Sequence, residues 1–281
     1  MRSLAALVML ALLTLGAPAL AQEAPLWRLV AQSDIIVVGQ PGAMPETIPP
    51  DDYVGVAISS PRWIKGGSGS GLTVRWYSAP SAYAPSLEQL SAAVGVPSLV
   101  FTVKAQGDLY FAGDTPGALR SADPASIAAV EAEVARQDHV IADWTVDADT
   151  PLYPEVRAII ERIAALPPPT REERRAWPTE QQRLFDQLIA LGPDAVPAII
   201  MLMDDDRPLP DRAISLKNLS PDAFEGIRHY GPDVVAEGLA AVLNQITGEN
   251  FGFIYNGATP DERRDSINGW RIYLDHLRAT S

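Results

Sequence analysis

Three histidines, one run of three aspartates and one glycine-rich hexapeptide are the features of this 281-residue chain whose residue types could do chemistry. His139 lies near Asp138 and Asp143, which permits an acid–base pair. No nucleophile or oxyanion-stabilising loop stands alongside it, so the plainer reading is a structural histidine. His229, beside Tyr230 and just before Gly231, reads as a helix end where a cation suits the dipole. His276 falls on the last helix. Asp204-Asp205-Asp206 offers three carboxylates for a divalent cation, but the twelve-residue loop with its glycine and distal glutamate is missing. Adjacent side chains on a turn also diverge, so a solvated acidic turn is expected. Gly66–Gly71 (GGSGSG) lacks the Lys-Ser/Thr and the helix that a phosphate loop requires, and neither Ser68 nor Ser70 sits in a nucleophile elbow. A hairpin loop is expected there. The chain contains no cysteine, which removes disulfides, thiolate zinc sites, iron–sulfur clusters and cysteine nucleophiles together. No catalytic, cofactor-binding or metal-ligating residue is assigned, and no cofactor is expected.

The 35 acidic residues against 22 basic ones give a formal net charge of -13, spread along the chain rather than gathered in a tail. Such a surface favours solubility and repels phosphate backbones and anionic lipid, so nucleic acid is not an expected partner. Met1–Ala21 has the form of a secretory signal peptide. Arg2 supplies the positive start, Leu4–Leu15 is apolar apart from Thr14, and Ala19-Leu20-Ala21 fits the small-x-small cleavage rule. The apolar run is shorter than the ~20 residues of a membrane span. Cleavage after Ala21 is expected, giving a periplasmic or secreted protein with no stable membrane insertion.

The elements that must hold any site fall into two kinds. Residues 22–144 carry short β-rich runs: Asp34–Gly39 (DIIVVG), Tyr53–Ile58, Leu72–Tyr77, and Pro97–Lys104 with Leu109–Ala112 about the turn at Gln106-Gly107-Asp108. A short helix is predicted over Ser86–Ala93 and a longer one over Asp123–Gln137, with Asp123 as N-cap and Pro124 at its first position. The DIIVVG strand, a second strand, Trp63-Ile64-Lys65-Gly66 and a third strand together resemble small secreted β-barrel modules of the netrin-like, OB type. That resemblance implies a barrel of the kind that often binds nucleic acids or sugars. No basic groove accompanies it, but Tyr83, Trp76 and Tyr77 are candidates for a sugar-stacking face, with core or edge packing the plainer alternative.

Residues 145–281 show helical periodicity with hardly a strand signal, and the joint between the halves is placed at Asp143–Pro154. Gly192–Ile200 (GPDAVPAII) and Gly231–Leu239 (GPDVVAEGL) repeat at a spacing of about 40 residues, the period of two-helix solenoid units. In each, the glycine can end one helix and the proline start the next. Leu191–Arg212 and the closing segment Ile246–Leu274, with its ITGENFG turn, resemble bacterial exported HEAT-repeat proteins. Thr259-Pro260-Asp261-Glu262 is a capping box, and Trp270 is expected to anchor the last helix near Phe251 and Phe253.

The expectation is therefore an α+β two-domain protein: a signal peptide over 1–21, a β-rich OB/netrin-like module with a C-terminal helix over 22–144, and a short α-helical HEAT-like array over 145–281. HEAT arrays bind proteins without chemistry of their own, so the functional expectation is an exported protein-interaction or scaffold module with a protein partner. The alternative is an extracytoplasmic hydrolase or carbohydrate-binding protein that uses a cleft between the domains.

Overall fold

The computed structural model describes residues 24–79, 84–105, 107–112, 117–176, 178–221 and 225–280. The expected signal peptide lies outside them, as does Tyr83. A short helix, α1 (Leu26–Gln32), leads into β1 (Ile35–Pro41), which is buried along most of its length as a run of β-branched residues requires. In β2 (Tyr53–Lys65) and β3 (Gly71–Tyr77) the period-2 alternation turns Val54, Val56, Ile58, Val74 and Trp76 inward. A capping box of Ser86 and Gln89 starts α2 (Leu87–Ala93), and β4 (Ser98–Ala105) and β5 (Asp108–Phe111) follow as the predicted hairpin.

These strands close on themselves. β1 pairs with β2 along one edge and with β4 along the other, β2 pairs with β3, β3 runs parallel to β5, and β5 returns to β4. The ring β1-β2-β3-β5-β4, with a helix between the third and fourth strands, is the OB-type barrel that the residues resembled. A short β6 (Leu119–Ser121) extends the sheet beside the first half of β4. Closure needs β1 to bend, and its register with β2 slips between Ile36 and Val37 and again between Val38 and Gln40. Gly39 sits in the second slip, where a Cβ would lie 2.4 Å from Ile58 Cγ2. β2 runs on to Lys65, beyond the predicted Ile58. Pro61 is tolerated because it falls opposite that same slip, where the ladder is already interrupted.

After the barrel, α3 (Pro124–Ala142) starts as expected: Asp123 accepts the N–H groups of Ala125 and Ser126. The second half is mostly helical: α4 (Tyr153–Ala165), α5 (Arg171–Arg175), α6 (Glu180–Ala190), α7 (Val196–Met201), α8 (Val235–Thr247) and α9 (Pro260–Thr280). A single 3-10 turn, Pro193–Ala195, leads into α7. The expected capping box of α9 is formed, with Thr259 and Glu262 exchanging side-chain-to-backbone bonds.

One expectation for this half is corrected. An antiparallel hairpin, β7 (Ile214–Lys217) and β8 (Ile227–Tyr230), stands where the second helix of the first repeat unit would be. Pro208 and Pro210 cannot continue a helix, and Ile214 and Leu216 alternate inward with Ser215 and Lys217. The Gln182 side chain then completes the strand edge, accepting from Ser215 N at 2.8 Å and donating to Ser215 O at 2.6 Å. Gly231 therefore follows a strand, not a helix. The repeated Gly-Pro-Asp segments share only their place before α7 and α8.

Two apolar clusters fill the molecule, one inside the barrel and one among the helices. α1 touches both: Leu29 and Val30 belong to the barrel cluster, while Trp27 and Ala31 lie against the helical one.

Candidate functional site

The alternation that fills the barrel also builds its outer face. Tyr53, Gly55 and Ala57 of β2 point outward, and the register sets Tyr53 opposite Tyr77 and Gly55 opposite Arg75. Parallel pairing of β3 with β5 brings Tyr110 level with Arg75. Tyr53 and Tyr77 have ring centroids 5.0 Å apart, and Tyr110 meets Tyr53 edge-on at 5.3 Å. Arg75 extends to Asp108 at 3.1 Å, an exposed pair with little bearing on stability. Tyr53 is 49% exposed and Tyr77 38%, so two large aromatic rings face water on a rigid sheet. Of the two expected stacking residues that the structure describes, Tyr77 is here and Trp76 is not. Trp76 is its neighbour along the strand and so faces the opposite way, into the core, where its indole N–H donates to Pro85 O at 2.7 Å. Tyr53 was within reach of the sequence, since the YVGVAI alternation already puts it outside. Tyr110 was not, because it arrives through a parallel, non-local pairing.

A second candidate is a polar cleft of about 360 Å³ where α1 meets the hairpin and the end of α8. Arg28 comes from α1, Asn218 and Arg228 from the hairpin, and Asn244, Gln245 and Glu249 from the last turn of α8 and beyond. α8 is buried almost all round, so its final amides must find partners inside the protein. Asn244 Nδ2 donates to Glu249 O at 2.8 Å, which fixes the Asn244 amide. Its Oδ1 then accepts from Gln245 Nε2 at 2.8 Å, and the same Nε2 donates to the Tyr230 hydroxyl at 2.6 Å. Gln245 Oε1 ends the relay, buried and without a hydrogen-bond partner among the described residues. Arg28 Nε lies 2.8 Å from Glu249 Oε2, an ionic contact without the angle of a hydrogen bond. Burial pushes the Glu249 carboxyl above its ordinary range against the attraction of Arg28, and burial likewise raises the Tyr230 hydroxyl.

The structure separates the groups that the sequence left as chemical candidates. His139 Nδ1 donates to Ala135 O at 2.7 Å, one helical turn back, and neither Asp138 nor Asp143 is hydrogen-bonded to its ring among the described residues. His229 is on strand β8, not at a helix end, and its Nδ1 lies 2.7 Å from the hydroxyl of its cross-strand neighbour Ser215. A serine–histidine contact is half of a nucleophilic pair, but no described group orients the other ring nitrogen and no oxyanion donors face the hydroxyl. His276 stacks on Trp27, with centroids 4.2 Å apart and planes at 22°.

The three aspartates do not form a merely solvated turn. Asp204 pairs with Arg271, Asp205 with Arg207 at 2.6 Å, and Asp206 with Arg263 at 3.1 Å. Arg263 continues at 3.2 Å to Glu237, whose side chain is fully buried and accepts the N–H groups of Asp233 and Ala258. The turn thus clamps α9 to the start of α8. Trp270 is buried as expected with Phe251 edge-on at 5.0 Å, but Phe253 is turned out to solvent and touches Tyr255 instead. Gly66–Gly71 is the hairpin loop between β2 and β3, folded over Trp63, whose indole donates to Gly69 O at 3.0 Å. A Cβ on Gly67 would enter that ring. Among the described residues no cluster of three or more His, Asp or Glu could hold a metal, and no single helix is long and apolar enough to cross a membrane. In comparisons with known proteins, no family model, curated protein or solved structure matches this chain.

Proposed function

We propose that the protein is an exported interaction module that binds a protein partner through the outer face of its barrel and acts by binding rather than by catalysis. The observation that carries this reading is the solvent-facing group Tyr53, Tyr77 and Tyr110 gathered beside Arg75 on one rigid sheet. Tyrosine and arginine are the residues enriched at the energetic centres of protein interfaces, because they offer large contact area at little entropic cost. With a net charge of -13 the complementary partner has a basic surface.

The test uses the protein immobilised in its native form and the exported fraction of its host. One protein should be retained in stoichiometric amount by the parent and lost with a Tyr53→Ala/Tyr77→Ala variant of unchanged melting temperature. Equal retention by both, or none by either, overturns the assignment. Mass spectrometry of the protein recovered outside the cytoplasm should find an amino terminus at Gln22. An unprocessed chain confined to the cytoplasm would defeat the exported part of the proposal.

A glycoside hydrolase, the form of the hydrolytic alternative that a sugar-binding cleft would serve, ordinarily needs two carboxylates facing each other across that cleft. The polar cleft at α1 is lined by one, Glu249, already engaged by Arg28. What that cleft does favour is binding.

A further inference from the structure

We infer that the cleft between α1, the β7–β8 hairpin and the end of α8 is a binding site for a small saccharide, separate from the tyrosine face of the barrel. Among the described residues, three buried side-chain atoms of the cleft lining have no hydrogen bond; Arg28 Nε and Glu249 Oε2 lie against each other at 2.8 Å, which leaves Gln245 Oε1. Asn244 Nδ2 must face the Glu249 carbonyl, so Asn244 Oδ1 must face Gln245, and Gln245 must present its nitrogen there. Turning the Gln245 amide over would set two oxygens against each other. Gln245 lines the cleft and is 1% exposed, and its buried Oε1 is an acceptor without a donor among the described residues.

That requirement sorts the ligand classes. A sulfate brings no donor for that oxygen, and an inorganic phosphate would set its charged oxygens beside a carbonyl oxygen, so a small inorganic anion is a poor match. An ammonium would need a free carboxylate, and Glu249 is taken by Arg28 at 2.8 Å. A nucleobase or other flat ring stacks on an aromatic ring or a guanidinium plane; no aromatic side chain lines the cleft among the described residues, and Arg28 and Arg228 are paired with Glu249 and Glu225. Hydroxyl groups answer every wall at once, because each one donates and accepts. They can donate to Gln245 Oε1 and accept from the guanidinium of Arg228, which reaches Glu225 at 3.4 Å on its other side, and from the amide of Asn218. A volume of about 360 Å³ suits one or two sugar rings. A uronate is compatible as well, since the lining carries two arginines against one glutamate.

Calorimetric titration and a glycan array with the full-length exported protein test this. The soluble probes are glucose, N-acetylglucosamine and glucuronate, with glycine and inorganic phosphate as comparators. At least one saccharide should bind, glycine and phosphate should not, and Gln245→Met should weaken binding at least tenfold. Because Gln245 is buried and its variant can misfold, Arg228→Ala at the rim provides a second arm, with the same weakening expected and an unchanged melting temperature. Absence of saccharide binding in both formats overturns the proposal. So does binding that survives both substitutions, or binding abolished by Tyr53→Ala/Tyr77→Ala instead. Tighter binding of glycine or phosphate than of any sugar also refutes it. The two sites are read by different variants, so failure of one leaves the other standing.

Discussion

Asp34 and Lys65 meet where the barrel joins α1, and each is held by backbone as well as by the other's charge. The Asp34 carboxylate accepts the Lys104 N–H at 2.5 Å, and the Lys65 ammonium donates to Val30 O at 2.8 Å, at the carbonyl end of α1. Burial pushes the Asp34 carboxyl above its ordinary 3.8, outweighing the Lys104 amide and the charge of Lys65. Burial likewise pulls the Lys65 ammonium below 10.5 despite the attraction of Asp34. A carboxyl whose pKa is higher in the folded chain than in the unfolded one holds its proton more tightly in the fold. Its contribution to stability is whole below pH 3.8 and is lost as pH rises through the folded value. Asp34→Asn retains an acceptor for the Lys104 N–H and does not titrate. The stability of this variant relative to the parent should therefore increase between about pH 3 and about pH 7, read from urea midpoints at each pH. A relative stability that is flat or falls over that interval would show that attraction, not burial, sets the Asp34 carboxyl.

At the scale of elements, what could be read from sequence was what local rules govern. The caps at Ser86, Asp123 and Thr259 depend on residues within three positions of each other, and all three formed. The inward faces of β2 and β3 follow from strict alternation. The β7–β8 hairpin was missed because its edge is completed by Gln182, distant in sequence, and because Ile214-Ser215-Leu216-Lys217 is too short for its period to stand out. The polar cleft was equally out of reach, since it joins Arg28 near one end of the chain to Glu249 near the other. Neither residue carries any local mark of its role. Barrel closure falls between these cases. DIIVVG announces a buried strand, while the reason for its glycine appears only when β1 bends against β2. With a Cβ 2.4 Å from Ile58 Cγ2 and 3.3 Å from Ser59 O, Gly39→Ala must displace a fully buried side chain or open the slip in the ladder. A loss of roughly 1–3 kcal/mol is expected from such overpacking. It should appear as a lower urea midpoint at unchanged slope, and a neutral substitution would mean that the barrel closes without that close approach.

For the molecule as a whole, the question is what makes a barrel and a helical array behave as one body. Polar contacts that join them include Arg28 to Glu249, Arg136 to Asp275 and Gln32 Nε2 to Asn250 O. The Arg136–Asp275 pair is more than a third exposed on each side, and pairs of that kind contribute about 0–1 kcal/mol. Trp27, Ala31 and Trp144 lie against the helical cluster from the barrel side, and of these Trp27 stands on the helix that is also sealed into the barrel. The Trp27 ring stacks on His276 and lies 6.1 Å from Tyr273, both on α9, while Leu29 and Val30 of the same short helix are sealed in the barrel. A helix of seven residues has little stability of its own, so α1 transmits whatever its two sides grip. Replacing Trp27 by alanine removes one grip and leaves the other. Since Trp27 is half-buried, the cost should be roughly 1–3 kcal/mol, below that of a fully buried tryptophan. The loss falls on the coupling between the two clusters and leaves each cluster's own packing intact. The parent should unfold in one calorimetric transition whose van't Hoff and calorimetric enthalpies agree, and Trp27→Ala in two resolved transitions or in one with the calorimetric enthalpy in excess. If the variant melts lower but still as a single two-state unit, other contacts across the joint, among them the packing of α3 on α9, hold the halves together and Trp27 is not the coupling residue.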